Sequence, residues 1–301
     1  MAENHLLITF CNLPVPKKEP LVLLKLSNGG KYTHIQNPIS IGYPQKIKSA
    51  TGMTRNNDLI FVLFSHSNRT YIANLDPADM MLNHYQELKE VKDPHSILMI
   101  DSEIFIVSTG TDEIIHYEFS RNHELINPKV FWKASDTKCD THHINSIIYH
   151  NQDVIISAFG LKKGKGWPSA QNGYVYNVTK RELLKDGIYH PHTLTSRRDK
   201  IYYCESKKSE FHQLGRDEFI YKFNGYTRGV AWITDDLVGI ANSNRGKNTR
   251  WRRILTRLTK KDFIQGSSSL SILDVMRREL VCVVDLSSNG PEVYDVIILG
   301  E

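Results

Sequence analysis

Three histidines, His95, His143 and His192, are the side chains of this sequence best suited to chemistry. Imidazole gives and takes protons near neutral pH, and it is also a common ligand of transition metals. The three lie 48 and 49 residues apart, each at the start of a short run of β-branched and aromatic residues. A fold that brings these starts together would make the histidines either a site for a divalent transition metal or an acid–base set.

The same spacing extends to the neighbouring parts of the chain. Thr51 lies 44 residues before His95, and Arg228 lies 36 residues after His192, each at an equivalent place in its unit. Within a unit, four short runs with strand-type alternation are separated by turn residues, and helical periodicity is almost absent. Repeats of this length with four strands each are typical of propeller blades. The sequence therefore predicts five internal blades.

The two ends of the chain together supply one further blade. Residues 291–299 have the pattern of an inner strand with nothing after it, whereas 5–11, 20–26 and 31–35 have the pattern of the three strands that would follow. Pairing of the N- and C-terminal strands removes a free sheet edge. The sequence thus predicts an all-β, six-bladed β-propeller that forms a single domain over residues 1–301.

The fifth internal blade is predicted to contain a basic insertion at residues 245–278, after which the blade resumes at Leu280. Ten lysines and arginines oppose two aspartates in this segment. Residues 248–263 also carry apolar side chains at a roughly helical spacing, which predicts a cationic helix on one rim. The simplest interpretation is a solvated charged face. The functional alternative is that residues 245–263 bind an acidic protein partner.

Nine short motifs occur in an order that is informative as a set. They are Asp93-Pro94-His95, Ser108-Thr109, His143-Ile144-Asn145, Gly166-Trp167, Pro191-His192, Arg228-Gly229-Val230-Ala231, Ser243-Asn244-Arg245, Val284-Asp285-Leu286 and Glu292-Val293-Tyr294-Asp295-Val296. In this order they resemble the bacterial family called domain of unknown function 4915, and the similarity spans most of the chain. The resemblance implies a six-bladed propeller-like fold and implies no established activity.

Equivalent positions of consecutive blades converge on the central channel of a propeller, because the innermost strands surround it. The candidate catalytic residues, which are also the candidate metal ligands, are His95, His143 and His192. The candidate ligand-binding residues are Arg228, Asn145, Tyr294, Asp295 and Trp167. A structural role remains open for each histidine, in which imidazole bonds a backbone carbonyl and fixes an inner strand. Arg228 equally suits an ion pair with Asp295 that braces two blades.

Composition narrows the classes of partner. The formal net charge of +5 and the pI near 8.8 favour anionic ligands or surfaces. No apolar run is long enough to cross a bilayer, and the first residues lack the basic region of a secretory signal, which predicts a cytoplasmic protein. Signatures of nucleic-acid-binding modules are absent, so nucleic acid is not the expected partner. The four cysteines are far apart, and three of them lie in apolar strand-like runs, which favours buried free thiols over a disulfide or metal role.

Two functional hypotheses follow from these observations. In the first, the chain is an enzyme of lyase, hydrolase or isomerase type that acts on a small polar or anionic molecule in the channel. The three histidines would be metal ligands or acid–base groups, and Arg228 would hold the anion. In the second, the chain is a non-catalytic module that binds a protein or another anionic partner through its rim and basic insertion. Three imidazoles at one position in a channel favour the enzyme, because a scaffold does not need them.

Overall fold

The fold is described by a computed structural model that covers residues 3–13, 19–28, 32–39, 47–56, 58–244 and 267–300. These residues form six antiparallel sheets of four strands each. Two short 3₁₀ turns, Thr109–Thr111 and Trp167–Ser169, are the helical elements of the described residues. Within the same part of the chain, no helix has the length and apolar character that crossing a bilayer requires. The predicted all-β architecture is confirmed.

Twenty-four strands follow one another along the chain. They are β1 (Glu3–Cys11), β2 (Leu21–Asn28), β3 (Tyr32–Ile39), β4 (Ser49–Arg55), β5 (Ile60–His66), β6 (Arg69–Leu75), β7 (Leu82–Glu87), β8 (Pro94–Ile100), β9 (Glu103–Ser108), β10 (Glu113–Phe119), β11 (Leu125–Lys133), β12 (Ile144–His150), β13 (Asp153–Ala158), β14 (Gly173–Asn177), β15 (Glu182–Ile188), β16 (Pro191–Arg197), β17 (Lys200–Glu205), β18 (Glu210–Gln213), β19 (Phe219–Lys222), β20 (Tyr226–Trp232), β21 (Leu237–Asn244), β22 (Ser267–Asp274), β23 (Glu279–Asp285) and β24 (Glu292–Gly300).

Five blades consist of consecutive strands, and the sixth joins the two ends of the chain. Strands β4–β7, β8–β11, β12–β15, β16–β19 and β20–β23 form the first to fifth blades, and β24 pairs with β1 of the β1–β3 meander in the sixth. In that pairing Leu7 lies opposite Ile297, and Cys11 lies opposite Glu292. The predicted closure by terminal strands is confirmed, and it removes the free edge that an open ring would expose.

The core lies between the blades, because each sheet buries both of its faces against its neighbours. Six apolar clusters occupy the junctions among the described residues. Phe61 of the first blade shares a cluster with Tyr117 of the second, for example, and Phe211 of the fourth shares one with Ile240 of the fifth. The ring closes through Leu24 of the sixth blade, which shares a cluster with fifth-blade residues. Apolar burial at every junction therefore stabilises the ring as one unit.

A β-bulge interrupts each inner strand close to its start. In the second blade, His95 and Ser96 lie opposite a single residue of the partner strand, since Pro94 pairs with Ser108 and the next pair is Ile97 with Ile106. Register shifts of the same kind occur in the other five inner strands. Bulges bend a strand and redirect side chains. The bulged residues include Thr51, His95, Arg228 and Tyr294, so the bulges direct these positions toward the channel.

The predicted boundaries of the insertion in the fifth blade are wrong at their C-terminal side. Ser267–Asp274 is strand β22, which pairs with β21 over eight positions from Leu237–Asp274 to Asn244–Ser267. The blade therefore resumes at Ser267, before Leu280. The serine-rich start of β22 hid the strand in the sequence, because serine has little strand propensity although Ser268 and Ser271 are buried here. The helix predicted at 248–263 lies outside the described residues.

Candidate active site

A cavity of about 1060 Å³ lies where the starts of the inner strands meet. All six blades contribute to its lining. Thr51, His95, His143, His192, Arg228 and Tyr294 come from the first to the sixth blade in that order. This volume is large enough for a small-molecule ligand. The positions that the repeat spacing aligns thus line one cavity.

His95 and His143 are direct neighbours in this cavity. Their ring centroids are 4.8 Å apart in an edge-to-face arrangement, and the Tyr294 ring centroid lies 5.6 Å from that of His95. His143 adopts a left-handed backbone conformation, with φ of 54°, immediately before β12 begins. That turn moves its side chain toward the His95 ring although the two residues differ in strand register.

His192 lies in the same cavity but does not contact the other two rings. Phe159 stands between them, with its ring centroid 4.4 Å from His143 and 5.0 Å from His192. His192 is 2% exposed and lies directly before the bulge of the fourth blade. The three histidines therefore form an adjacent pair and a third member behind an aromatic spacer.

Hydrogen bonds fix which nitrogen of each histidine carries the proton. His95 Nδ1 lies 3.0 Å from the Asp93 carbonyl oxygen, and His143 Nδ1 lies 3.1 Å from Asp140 Oδ1. A carbonyl oxygen accepts hydrogen bonds only, so His95 Nδ1 is a donor. An ionised carboxylate also only accepts, so His143 Nδ1 is a donor when Asp140 is ionised. In the neutral ring the Nε2 atom then keeps its lone pair.

His192 follows the same rule through a hydroxyl group. The Ser206 hydroxyl donates to the Thr227 carbonyl, so its oxygen accepts from His192 Nδ1 at 2.8 Å. His190 is different, because its Nε2 donates to the Trp167 carbonyl at 2.9 Å and its Nδ1 accepts from the Tyr226 hydroxyl at 3.0 Å. Both nitrogens of His190 are thus used within the protein. His95, His143 and His192 share the arrangement in which Nε2 is left for a ligand.

Asp112 builds the turn that presents His143. Its side chain is fully buried and accepts the backbone N–H groups of Thr141 at 2.7 Å, His142 at 2.8 Å and His143 at 3.0 Å, together with the Thr141 hydroxyl. Hydrogen bonds from N–H groups to a carboxylate are stronger than those to a neutral acceptor, so they fix the conformation of this turn. Asp112 belongs to the second blade and His143 to the third, so this contact joins two blades at the site.

Burial shapes the proton affinity of the Asp140–His143 pair. Burial, reinforced by the neighbouring Asp112 carboxylate, raises the pKa of Asp140 to about 7. Burial and the nearby His95 lower the pKa of His143 well below 6.5. Burial and the Arg228 guanidinium have the same effect on the pKa of His192. At neutral pH both imidazoles are neutral, as a general base must be.

Arg228 supplies positive charge to the cavity. Its Nη1 group lies 3.3 Å from Glu292 Oε2 and 3.4 Å from Cys11 Sγ. The guanidinium carbon lies 5.2 Å from the ring centroids of both Tyr226 and Tyr294, within the range of cation–π attraction. The ion pair considered from the sequence was with Asp295, and the structure places Glu292 in that position.

Of the other predicted ligand-binding residues, Trp167 and Tyr294 line the cavity. The Trp167 ring packs 4.3 Å from His143, and Lys162 Nζ lies 3.9 Å from its centroid. Asn145 is 4% exposed and is not part of the lining. Asp295 accepts the backbone N–H groups of Met53 and Val296, both at 2.9 Å, and burial raises its pKa to about 6. Its place in the structure is a brace between inner strands.

The geometry of the three histidines suits proton transfer better than a preformed metal site. Among the described residues, Glu205, Glu210 and His212 are the one set of three whose ligand atoms all lie within 4.8 Å of one another. That set lies outside the cavity lining. Lys208 Nζ bonds Glu205 at 2.8 Å and Lys222 Nζ bonds Glu210 at 2.9 Å, so its charge is already compensated. The metal site predicted at His95, His143 and His192 stays a prediction.

Several residues of the site were not found from the sequence. They are Cys11, Asp112, Asp140, Phe159, Ser206, Tyr226 and Glu292. Cys11 was interpreted as an ordinary buried thiol, yet it lines the cavity beside Arg228. The predicted strand closure held a usable signal, because pairing the terminal strands places Cys11 opposite Glu292. Asp112 gave no local signal, since its role depends on the packing of two blades.

Comparison with known proteins supports the fold and leaves the chemistry open. Residues 90–301 match the family described as "Domain of unknown function (DUF4915)". No curated protein matches the sequence. A chain of a nidogen/laminin complex superposes with a TM-score of 0.66 at 10% identity, over 98% of both chains.

Two further solved structures are also similar to this fold. The periplasmic gluconolactonase of Pseudomonas aeruginosa gives a TM-score of 0.52 at 11% identity, over 93% of this chain and 81% of that one. A calcium-binding regucalcin from Agrobacterium tumefaciens strain C58 gives 0.51 at 13% identity, over 82% and 74%. Identities this low establish a shared propeller fold and nothing about activity.

Proposed function

The chain belongs to the DUF4915 family, and we propose that it is a hydrolase-type enzyme that acts on a small anionic molecule in the central cavity. The observation that carries the proposal is that three imidazoles have the same hydrogen-bond arrangement. His95, His143 and His192 each bond an oxygen acceptor through Nδ1, which leaves a basic Nε2 for the cavity. His190, in contrast, uses both of its ring nitrogens within the protein.

His143 is the proposed general base. The Asp140 carboxylate bonds Nδ1, fixes the tautomer and stabilises the imidazolium that forms when Nε2 takes a proton. Nε2 would take that proton from a water molecule as the water oxygen attacks an acyl carbon held in the cavity. The proton would then pass to the group that departs from that carbon. His95, which contacts the His143 ring, is placed to orient the water or the departing group.

Arg228 is the proposed anchor for the anionic part of the substrate. A guanidinium has five N–H donors in a planar fork that matches a carboxylate or phosphate. Its Nη1 group serves Glu292 and Cys11, and the other donors remain for a ligand. Lys207 also lines the cavity and adds positive charge there. Of the three reaction classes that the sequence left open, hydrolysis fits best, because the base faces a cavity with room for water beside the ligand.

The gluconolactonase among the similar structures is a precedent for hydrolysis on this fold, and at 11% identity it adds nothing more. The proposal is tested with a panel of small carboxylate-bearing esters and lactones, using His143→Gln and the matched control His142→Gln. His142 bonds the Tyr174 hydroxyl and is outside the cavity lining. We expect His143→Gln to lower turnover by about 10²–10⁴-fold, the usual contribution of a general base.

His142→Gln is expected to keep wild-type turnover, and thermal denaturation checks that both variants are folded. Equal turnover by wild type and His143→Gln on any substrate of the panel would exclude His143 as the base. Failure of every anionic ester or lactone to be hydrolysed, together with no calorimetric binding of their product acids, would contradict the proposed function as a whole.

A further inference from the structure

Cys11 occupies a corner of the cavity that is built from charged and polar groups. Its Sγ lies 3.4 Å from Arg228 Nη1 and 3.7 Å from Asn12 Nδ2. These two N–H donors belong to different blades, since Arg228 lies in β20 and Asn12 directly follows β1. On another side Sγ lies 3.7 Å from Glu292 Oε2, which accepts a hydrogen bond from the thiol. Asn12 Nδ2 and Arg228 Nη1 also bond the same Glu292 oxygen. The sulfur is thus surrounded by two donors and one acceptor.

This environment suits a nucleophilic sulfur. The thiolate is the reactive form of cysteine, and an adjacent guanidinium and N–H donors stabilise the negative sulfur. A carboxylate beside the thiol gives its proton a place to go, as an activated nucleophile requires. Cys11 has both, and it lines the same cavity as the three histidines.

A second feature of this corner points to a ligand. Tyr294 is 8% exposed and lines the cavity, yet its hydroxyl has no hydrogen-bond partner among the described residues. Burying a hydroxyl without a partner is costly unless a ligand supplies one. Its ring lies 5.2 Å from the Arg228 guanidinium, so a molecule held by Arg228 would lie beside Tyr294.

The other three cysteines have no comparable surroundings. Cys204 is fully buried, and burial raises its pKa to about 12. Cys282 is partly buried in the outer strand of the fifth blade, and burial raises its pKa too. Cys139 is an exposed surface residue. Within the same chain, Cys204 is therefore a control for an inert buried thiol, and Cys139 is a control for an ordinary accessible thiol.

We propose that Cys11 is a nucleophilic thiol of the cavity that forms a covalent bond with a small anionic electrophile held by Arg228. The catalytic role of this bond rests on the proposed hydrolase function. Sγ would attack the carbonyl carbon of an ester and pass its proton to Glu292. The departing oxygen would leave with the bonding electron pair and take that proton. A water molecule, deprotonated by His143 Nε2, would then displace the sulfur, and His143 would return the proton to Sγ.

The test compares two alkylating probes on the wild-type protein, iodoacetate and iodoacetamide. In each reaction sulfur bonds the methylene carbon, iodide leaves with the electron pair of the broken bond, and Glu292 takes the thiol proton. Mass spectrometry of peptides follows all four cysteines in one sample. We expect Cys11 to prefer anionic iodoacetate over iodoacetamide by at least about tenfold more than Cys139 does, the effect of a charge-assisted hydrogen bond to the probe.

Arg228→Gln is expected to remove that preference, while Glu292→Gln should slow alkylation of Cys11 by both probes. Cys204 serves as a monitor of folding, because it becomes reactive if a variant unfolds. The proposal would be overturned if Cys11 were as inert as Cys204 toward both probes. It would also be overturned if Cys11 showed the same preference between the probes as Cys139. Either result leaves the hydrolase proposal intact, since that is tested separately by turnover of the His143→Gln variant.

Discussion

Each of the three channel histidines uses one nitrogen to hold its ring and leaves the other for the cavity. Three different acceptors fix Nδ1, namely a backbone carbonyl, a carboxylate and a hydroxyl. The bond to Asp140 is the one with a titratable partner. Because burial raises the pKa of Asp140 to about 7, the His143 Nδ1 bond becomes a charge-assisted one only as the pH rises above that value.

The raised pKa of Asp140 predicts a dependence of stability on pH. A carboxyl group that binds its proton more tightly in the folded state contributes stability below the unfolded-state value of about 4, and this stability is lost as the pH rises through about 7. Asp140→Asn removes the titration. We expect the stability of Asp140→Asn relative to wild type to increase from about pH 5 to about pH 8, measured by chemical denaturation.

Asp136→Asn is the matched control for this prediction. Asp136 is exposed, and its bond to Lys133 lowers its pKa, so it stays ionised over the whole range. Its difference from wild type should not change between the two pH values. If the stability difference between Asp140→Asn and wild type were also constant, burial would not raise the pKa of the Asp140 carboxyl.

At the scale of the elements, inner strands of neighbouring blades approach one another at glycines. A Cβ atom on Gly229 of β20 would lie 2.8 Å from Asp295 Cα and 2.9 Å from Val296 N in β24. Gly52 of β4 has the same relation to Ser96 of β8, with a distance of 2.7 Å to its Cα. Both glycines are the second residue of a bulge, next to Arg228 and Thr51 respectively. The close approach therefore determines where the neighbouring site residues lie.

Gly229→Ala is expected to destabilise the protein by about 1–3 kcal/mol, as overpacking against rigid backbone does. Urea denaturation measures the effect. Gly164→Ala is the control, because the nearest atom to its added Cβ is the Ser169 Cβ at an ordinary 3.6 Å. The urea concentration at the midpoint of unfolding should be clearly lower for Gly229→Ala than for Gly164→Ala. Equal midpoints would mean that the inner strands can separate at little cost.

The sequence predicted the elements better than their register. The period of the repeats was visible because each blade repeats four alternating apolar runs, and the terminal strands completed the ring. The bulges left no signal, so His143 and His192 were assigned the strand position of His95, although they lie ahead of the bulges of their own blades. Asp112 and Phe159 were missed because their roles arise from contacts between elements distant in sequence.

At the scale of the whole molecule, the apolar junctions between blades hold the described residues together as a ring. Strands β21 and β22 pair as far as Asn244–Ser267, so a short turn can join them in place of residues 245–266. Within the part of the chain that the structure describes, both blades that flank the segment have their own junction clusters and lining residues.

Replacing residues 245–266 by a short Gly-containing turn should therefore leave the propeller intact. We expect an unchanged β-type circular dichroism spectrum and a melting temperature within about 3 °C of wild type, the shift of about 1 kcal/mol for a chain of this class. Turnover of the panel substrates should also persist. Loss of cooperative unfolding in this variant would show that the segment is part of the structural core.

The tautomers of the channel histidines test the account most directly, since the proposed chemistry requires Nε2 to be unprotonated. Long-range ¹H–¹⁵N correlation spectra of histidine-labelled protein at about pH 8, above the pKa of Asp140, report which nitrogen of each neutral ring carries hydrogen. The account predicts Nδ1–H for His95, His143 and His192, and Nε2–H for His190. Nε2–H tautomers at His95 and His143 would contradict it, because neither ring could then accept a proton from the cavity.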